Sequence, residues 1–243
     1  FTRMSHSYRT YFDKHSGFIR GVDDKGAFTT PFNPYYVAHR ANDYCEGNAW
    51  QYTWLVPHDM ESYALMFESK EECLTRLDSL FLAPSTIKGT PSPDISGMIG
   101  QFAHGNEPSH HIPYLFSMLG HPHKTADRVR EIMQTQYRHA KDGLSGNEDM
   151  GQMSAWYILS ALGFYEVEPA SGRYWFGSPL IDRAELMVEG GIFTIEVVGN
   201  SDTHPYIKSI KLHGEPYALP YITHADIARG GTMTIEMTGD ITQ

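Results

Sequence analysis

"DGLSGNEDMGQMSAWYILSALGFY", residues 142–165, sets a loop of Asp, Gly and Asn directly against a run of apolar helix formers. Two adjacent acids, Glu148 and Asp149, stand at the junction. Over 150–163 the apolar residues fall nearly all round the helical wheel, the pattern of an inner helix with neighbours on every side. At Phe164 the period changes to two, so this stretch divides the chain into a helical part before it and a β-rich part after it. Upstream, Ile112, Leu115, Phe116 and Leu119 fall at i, i+3, i+4 and i+7, opened by Pro108 with Ser109 and closed by Gly120, which predicts a helix over 108–120. Residues 123–140 repeat the spacing through Ala126, Val129, Ile132, Met133, Tyr137 and Ala140, and 71–81 form a shorter amphipathic helix. Downstream, "AELMVEGGIFTIEVVG", "YIKSIKLHG" and "GGTMTIEMTG" are β-rich runs with glycine pairs at the bends, which predicts antiparallel hairpins. The first seventy residues carry little periodicity and many Gly, Pro, Asn and aromatic residues, as long loops over a scaffold do, and a site is expected there. The fold class is α+β by content, divided into 1–163 and 164–243.

Composition narrows the function. The chain has 243 residues, 41% hydrophobic and 13% aromatic, enough for a large core. Nineteen Lys and Arg against twenty-nine Asp and Glu give a formal charge of −10, which argues against nucleic acid or an anionic membrane as the main partner and favours a neutral or cationic ligand. No apolar run approaches the roughly 20 residues of a membrane helix. Cys45 and Cys73 lack metal-binding spacing and are either free thiols or one bridge. The start at Phe1 shows neither an initiator Met nor the pattern of a signal peptide, and is read as that of a mature product or a fragment.

Three segments carry chemistry: "DYCEGNAWQYTWLVPHD" at 43–59, "HGNEPSHHIPY" at 104–114 and the loop before helix 150–163. Glu46 precedes Gly47-Asn48 and is followed by Trp50, Tyr52 and Trp54; rings around its carboxyl would favour the protonated form that a general acid needs. The alternatives are a helix cap and a salt-bridged surface glutamate. Glu107, before Pro108, suits a helix N-terminus, while Asn106 with Glu107 also offers hard oxygen donors of the kind a Ca²⁺ ion uses. His110 and His111 lie about 100° apart on a helix and lack the i, i+4 spacing of a zinc pair. Glu148 and Asp149 either compensate a helix dipole or provide, in Asp149 with Glu46 on another loop, the two carboxylates of glycoside hydrolysis.

Taken together, "YCEGNAWQYTWLVPHD", "HGNEPSHHIPYLFSMLGHPHKTADRVREI" and "DGLSGNEDMGQMSAWYILSALGFYEVEPASGRYWFGSPL" resemble the C-terminal portion of the catalytic region of glycoside hydrolase family 92, the calcium-dependent exo-acting α-mannosidases, many of them α-1,2-specific. The resemblance runs in order from near Phe1 to beyond Leu180. It implies that Glu46 is the general acid and Asp149 the general base of an inverting mechanism. It further implies that Asn106 and Glu107 help to hold Ca²⁺ with Asp149 beside it, and that Trp50, Gln51, His110 and His111 wall the sugar site. Where some members place a second acid this chain has Asn147, so Asp149 serves alone. The family's fold is an N-terminal β-sandwich followed by an (α/α)6 barrel. The helices here are too few to close one, so the chain is expected to be the last part of the barrel followed by C-terminal antiparallel β hairpins.

The implied partners are a mannose-containing glycan and the remainder of the same enzyme, in a secreted, periplasmic or cell-surface setting. Two other readings compete: a calcium-dependent carbohydrate-binding module without catalysis, and a zinc-dependent hydrolase built on the His110 and His111 region.

Overall fold

The computed structural model describes residues 2–241. Two compact units emerge, and neither is continuous in sequence: one runs up to His110 and takes in Ala140–Met153, the other comprises His111–His139 and the chain from Ser154 onward.

The first unit is mostly loop, as its composition implies, wrapped on an aromatic core. The one-turn helix α1 (Ala49–Tyr52) and the longer α2 (Lys70–Leu82) are among its ordered pieces, beside other short helical turns and two-stranded pairings. Ser69 caps α2 by accepting the Glu72 N–H at 3.1 Å, and Glu71 and Glu72 put negative charge in its first turn, where the helix dipole favours it. Cys73, Leu77, Leu80 and Phe81 form its buried face. Trp54 stacks on Phe67 at 6.1 Å between ring centres, and Phe12, Tyr63 and Phe67 meet edge to face. Such arrangements align the ring quadrupoles favourably in addition to burying area. The left-handed Gly100 (φ 61°) lies against the backbone of Leu80 and Phe81; a Cβ there would meet the Phe81 carbonyl oxygen at 2.5 Å, so the loop after α2 returns only through glycine. Cys45 and Cys73 are both free thiols.

Helix α3 (Pro122–Thr135) starts on a proline, whose missing N–H costs nothing in the first turn, and buries Ala126, Val129, Ile132 and Met133. Helix α4 (Gln152–Leu162) begins in the first unit and continues in the second. The continuous helix expected over 108–120 is instead broken into 3₁₀ turns at Glu107–Ser109 and Ile112–Tyr114 followed by one α-turn at Leu115–Met118. Pro113 is the cause: it has no N–H to donate to the carbonyl four residues earlier, and its ring crowds that carbonyl. The apolar spacing nonetheless serves its purpose, because Ile112, Leu115 and Phe116 are fully buried.

After α4 the backbone turns to strands: β1 (Phe164–Glu166), β2 (Arg173–Phe176), β3 (Arg183–Val188), β4 (Gly191–Val198), β5 (Tyr206–Leu212), β6 (Tyr221–Thr223) and β7 (Gly231–Thr238). The order β6-β2-β1 makes a small sheet, and β5-β7-β4-β3 a larger one, edged beyond β5 by Glu215–Pro216. β3 and β4 are the expected antiparallel hairpin. The last strand departs from expectation: β7 enters between β4 and β5, antiparallel to β5 and parallel to β4, with Ile195 opposite Met233 and Val197 opposite Ile235. The period-two pattern of these runs predicts hairpins, yet it fixes only which side chains point inward. Neighbour choice follows from burial: flanked on both edges, β7 places Met233, Ile235 and Met237 in one cluster with Phe193, Ile195, Val197 and Ile210.

Arg130 fastens α3 to the β-rich chain. Its guanidinium donates to Ser178 Oγ at 2.8 Å, the Pro179 carbonyl at 2.5 Å and Asn200 Oδ1 at 2.6 Å, and burial pushes its pKa down from the ordinary arginine value. No described helix is long and apolar enough to cross a membrane.

Replacing fully buried Phe193 by Ala should cost about 3–5 kcal/mol of unfolding free energy in urea titration, through lost burial and the cavity left behind. Met187, at 94% exposed on edge strand β3, should change stability by less than about 0.5 kcal/mol when replaced by Ala. Equal losses at the two positions would contradict this placement of the core.

Candidate active site

The loop bearing Glu46 is rigid because the turn after it is tied down by amides. Asn48 caps α1: its Oδ1 accepts the Trp50 N–H at 2.9 Å, while its own N–H donates to Gln51 Oε1 at 2.7 Å. Asn48 Nδ2 donates to Gln101 Oε1 at 3.0 Å and Gln51 Nε2 to the Gln101 carbonyl at 2.6 Å, all three side chains being buried. Polar side chains without water keep their place only when satisfied in this way, so the network fixes the E-G-N-A-W-Q segment on the loop of Gln101. Glu46 stands just outside it, half-buried. Its N–H donates to the Tyr52 hydroxyl at 3.2 Å and its carbonyl accepts from Asn106 Nδ2 at 3.4 Å.

The rings that follow Glu46 in sequence pack on other aromatic side chains. Trp50 is 7% exposed, edge to face with Phe18 at 5.0 Å and tilted against Tyr35, and its indole N–H is buried without a hydrogen-bond partner. Trp54 belongs to the Phe67 stack. Tyr52 touches the acid's segment through its hydroxyl, which also accepts the Cys45 N–H at 3.0 Å. Gln51 is equally interior, spent on Asn48 and Gln101.

The acids of the other two segments meet because two glycines do. A Cβ on Gly146 would lie 2.4 Å from the Gly105 carbonyl oxygen, and one on Gly105 would lie 2.0 Å from Ser96 Oγ and 2.9 Å from the Ser145 carbonyl oxygen. Backbone therefore packs on backbone, and the residues that follow, Asn106-Glu107 on one side and Glu148-Asp149 on the other, are brought together. Glu107 Oε1 is buried without a hydrogen-bond partner. Burial above all, and then the Asp149 carboxylate beside it and Asp94, raises the Glu107 pKa above the usual carboxylate value. Asp149 itself is exposed.

The backbone at this point is unusual. Asp149 (φ 41°), Met150 (φ 59°) and Gly151 (φ 91°) are consecutive left-handed residues. The first two carry side chains and pay about 1–2 kcal/mol each for that conformation. Strain of this order is held only where the ends of the segment are fixed.

One end is the glycine contact, and the other is His110. Its Nε2 lies 3.1 Å from the His104 carbonyl and its Nδ1 3.1 Å from Gln152 Nε2, so both ring nitrogens are engaged by protein in a side chain 1% exposed. His104 stacks on the same ring at 4.8 Å; burial, and then His110, drive its pKa well below the ordinary histidine value. His111, 7% exposed, falls in the second unit, at the cap of the Ile112–Tyr114 turn.

Glu46, Trp50, Gln51, Asn106, Glu107, His110 and Asp149 thus share the first unit, Trp50, Gln51 and His110 being interior. Sequence reasoning overlooked Gln101, which no motif marks, and Gln152, although it closes the quoted N-E-D-M-G-Q run. Among the described residues no group of three His, Cys, Asp or Glu is placed to hold a metal ion. The acidic pair nonetheless fits a hard cation: an orphaned carboxylate oxygen pressed against a second carboxylate, with an amide side chain adjacent, is the kind of oxygen donor set that Ca²⁺ binds. A cavity of about 490 Å³ opens in the second unit beside Ser117, Ala126, Trp175, Phe176, Tyr206 and Ile210, away from all of these acids in sequence.

Carboxylates presented from loops that lead into helices are the kind of equipment that glycoside hydrolysis uses. The assignment is specific: residues 1–239 match the profile of the glycosyl hydrolase family 92 catalytic domain, and the chain belongs to that family. A family 92 α-mannosidase of Bacteroides thetaiotaomicron, solved in complex with mannoimidazole, is 37% identical with a TM-score of 0.88 over 96% of this chain and 31% of its own. A family 92 inverting mannosidase from the same species is 34% identical with a TM-score of 0.84, over 98% of this chain and 33% of its own. A protein described as an uncharacterized secreted glycosidase of Arthroderma benhamiae is 24% identical over 79% of this chain and 23% of its own length. The chain therefore spans about a third or less of each of these relatives.

The Glu107 environment makes a signed prediction. A raised folded-state pKa means that the folded protein holds its proton more tightly than the unfolded chain does. Glu107 therefore subtracts nothing at low pH and begins to destabilise as pH rises past the unfolded carboxyl value of about 4.3. In chelator, Glu107→Gln should raise the Tm at pH 7, and the gain should vanish below about pH 4. A Tm lower than that of the parent at pH 7 would show that the carboxylate is stabilised by groups other than those described.

Proposed function

We propose that this chain is the catalytic C-terminal part of an exo-acting α-mannosidase that removes terminal, α-1,2-linked mannose from glycans with inversion. The observation that carries the reading is the gathering, in one unit, of Glu46, Asn106, Glu107 and Asp149 from three separate segments, in a chain whose solved relatives are described as mannosidases. In this reading Glu46, half-buried and fixed through its backbone by Tyr52 and Asn106, gives a proton to the departing glycosidic oxygen. Asp149, exposed at the tip of a strained loop, takes a proton from the attacking water. The amide network of Asn48, Gln51 and Gln101 sets the position of the first, and the glycine contact sets that of the second. Trp50 supports the acid's segment from behind, and His111 remains a candidate wall of the sugar site. The linkage preference rests on family resemblance alone.

Asn106, Glu107 and Asp149 would hold a Ca²⁺ ion, which supplies Lewis-acid stabilisation and oxygen-directed binding of sugar hydroxyls when bound. The remainder of the enzyme is the second proposed partner, a β-sandwich and the rest of an (α/α)6 barrel. Its support is the exposure of large apolar side chains in this chain, Met150 at 106% and Ile158 on α4 at 57%, on a helix whose apolar pattern runs all round. The secreted description of the fungal relative supports an extracytoplasmic setting.

Two measurements on the full-length enzyme test the assignment. Glu46→Gln should slow poor leaving groups by about 10²–10⁴ while sparing activated aryl mannosides, and Asp149→Asn should abolish turnover on both. The two carboxyls should stand about 6.5–9.5 Å apart, and proton NMR should find β-mannose first. Equal losses of Glu46→Gln on both substrates, or α-mannose appearing first, would overturn the roles.

Exhaustive EDTA treatment should remove activity and Ca²⁺ restore it; full activity in chelator would exclude the metal. A panel of mannobioses checks the linkage.

A further inference from the structure

We infer that Gln152, acting through His110, is a positioning residue for the Asp149 carboxylate. This rests on the reading of Asp149 as the base, but its evidence is separate. The His104 carbonyl can only accept, so His110 Nε2 carries the proton in their 3.1 Å contact. Nδ1 is then the acceptor, and the Gln152 amide donates to it at 3.1 Å. The ring is thereby held in a single tautomer between the G-N-E-P segment and the first turn of α4. His104 stacks on the same ring at 4.8 Å between centres.

Between Asp149 and Gln152 lie only Met150 and Gly151. All three residues from Asp149 to Gly151 are left-handed, and Met150 is fully exposed with nothing packed on it among the described residues. Side-chain packing therefore does not hold this stretch in its strained form. Its upstream anchor is the Gly105 and Gly146 contact, and its downstream anchors are the start of α4, where the Gln152 N–H reaches the Asp149 carbonyl at 3.2 Å, and the Gln152 side chain on His110. A relaxed loop would turn the Asp149 carboxyl away while leaving the aromatic core and the Glu46 network untouched. Gln152 touches no reacting atom in this account; it aims one that does.

The test uses the full-length enzyme. Gln152→Leu should lower kcat by about 10–100-fold, the usual effect of losing the group that orients a functional residue, equally on an activated aryl mannoside and on a mannobiose. KM should stay within about twofold. His110→Leu should do the same, and the double variant should be no worse than either single one, because both break one contact. His110→Asn, which keeps an acceptor near the Nδ1 position, should recover most of kcat. Multiplicative losses in the double variant, a loss confined to KM, a loss that follows the unfolded fraction in a parallel melt, or no rescue by His110→Asn would overturn the positioning role. Asp149→Asn separates the two failures: if it is inactive while Gln152→Leu keeps full kcat, the inference alone falls, and if it is active, the assignment of the base falls first.

Discussion

The approach of Gly105 to Gly146 governs the chemistry of the first unit. Nothing larger than hydrogen fits on either α-carbon, because the atoms that a side chain would strike are backbone or a short serine oxygen. Backbone-to-backbone packing over this distance is what lets segments some forty residues apart present Glu107 and Asp149 to each other. The proximity is unfavourable on its own account: like charges in a half-buried place repel, and one Glu107 oxygen finds no partner. Left-handed Asp149 and Met150 add backbone strain. Protein segments left to themselves relax away from such arrangements, so the surroundings must hold this one in place.

They do so with buried amides rather than with ion pairs. Asn48, Gln51 and Gln101 satisfy one another and the backbone, and Gln152 with His110 repeats the device on the facing loop. Neutral donors and acceptors fix direction without adding a field that would compete with the functional carboxylates. They also avoid the desolvation cost that a buried charge pair incurs. The second unit shows what is done where no acid must be protected: Arg130, a buried cation, is satisfied by a hydroxyl, a carbonyl and an amide oxygen and fastens α3 to the strands.

Much of this was legible in the sequence, and the limits have physical causes. The helices expected over 71–81, 123–140 and 150–163 are found at Lys70–Leu82, Pro122–Thr135 and Gln152–Leu162, so the second stops short of Tyr137 and Ala140 and the third starts after left-handed Met150 and Gly151. Periodicity, which records burial directly, locates the elements and the switch to strands at Phe164 better than their ends. Periodicity is silent on hydrogen-bond geometry, and so 108–120 read as one helix although Pro113 breaks it. It is equally silent on which strands become neighbours, hence the parallel insertion of β7 beside β4. In the site, the acids are legible because three loop segments each set a carboxylate among Asn, Gly and aromatic residues near a helix start, a pattern that helix capping alone also produces. The tryptophans are less legible, since a large ring next to an acid in sequence belongs as readily to the core; Trp50 packs against Phe18 and Tyr35. Gln101 gave no sign at all, because a single amide acquires its role only from partners some fifty residues away.

That asymmetry has a consequence for how such a site tolerates change. The acids sit at the least constrained points of their loops, Asp149 exposed and Glu46 half-buried, so their substitution should remove chemistry with little loss of fold. The amides sit where each hydrogen bond is shielded from water, so an apolar replacement leaves a partner stranded, at a cost of about 1–3 kcal/mol. Gln101 and Asn48, both fully buried, lie on the structural side of that line. Gln152 is half-buried at a helix start, with its side chain on the His110 ring, and lies closer to the functional side. A motif that ends in Gln152 therefore reads as one continuous instruction: acids to act, a glycine to bend, and an amide to hold the bend.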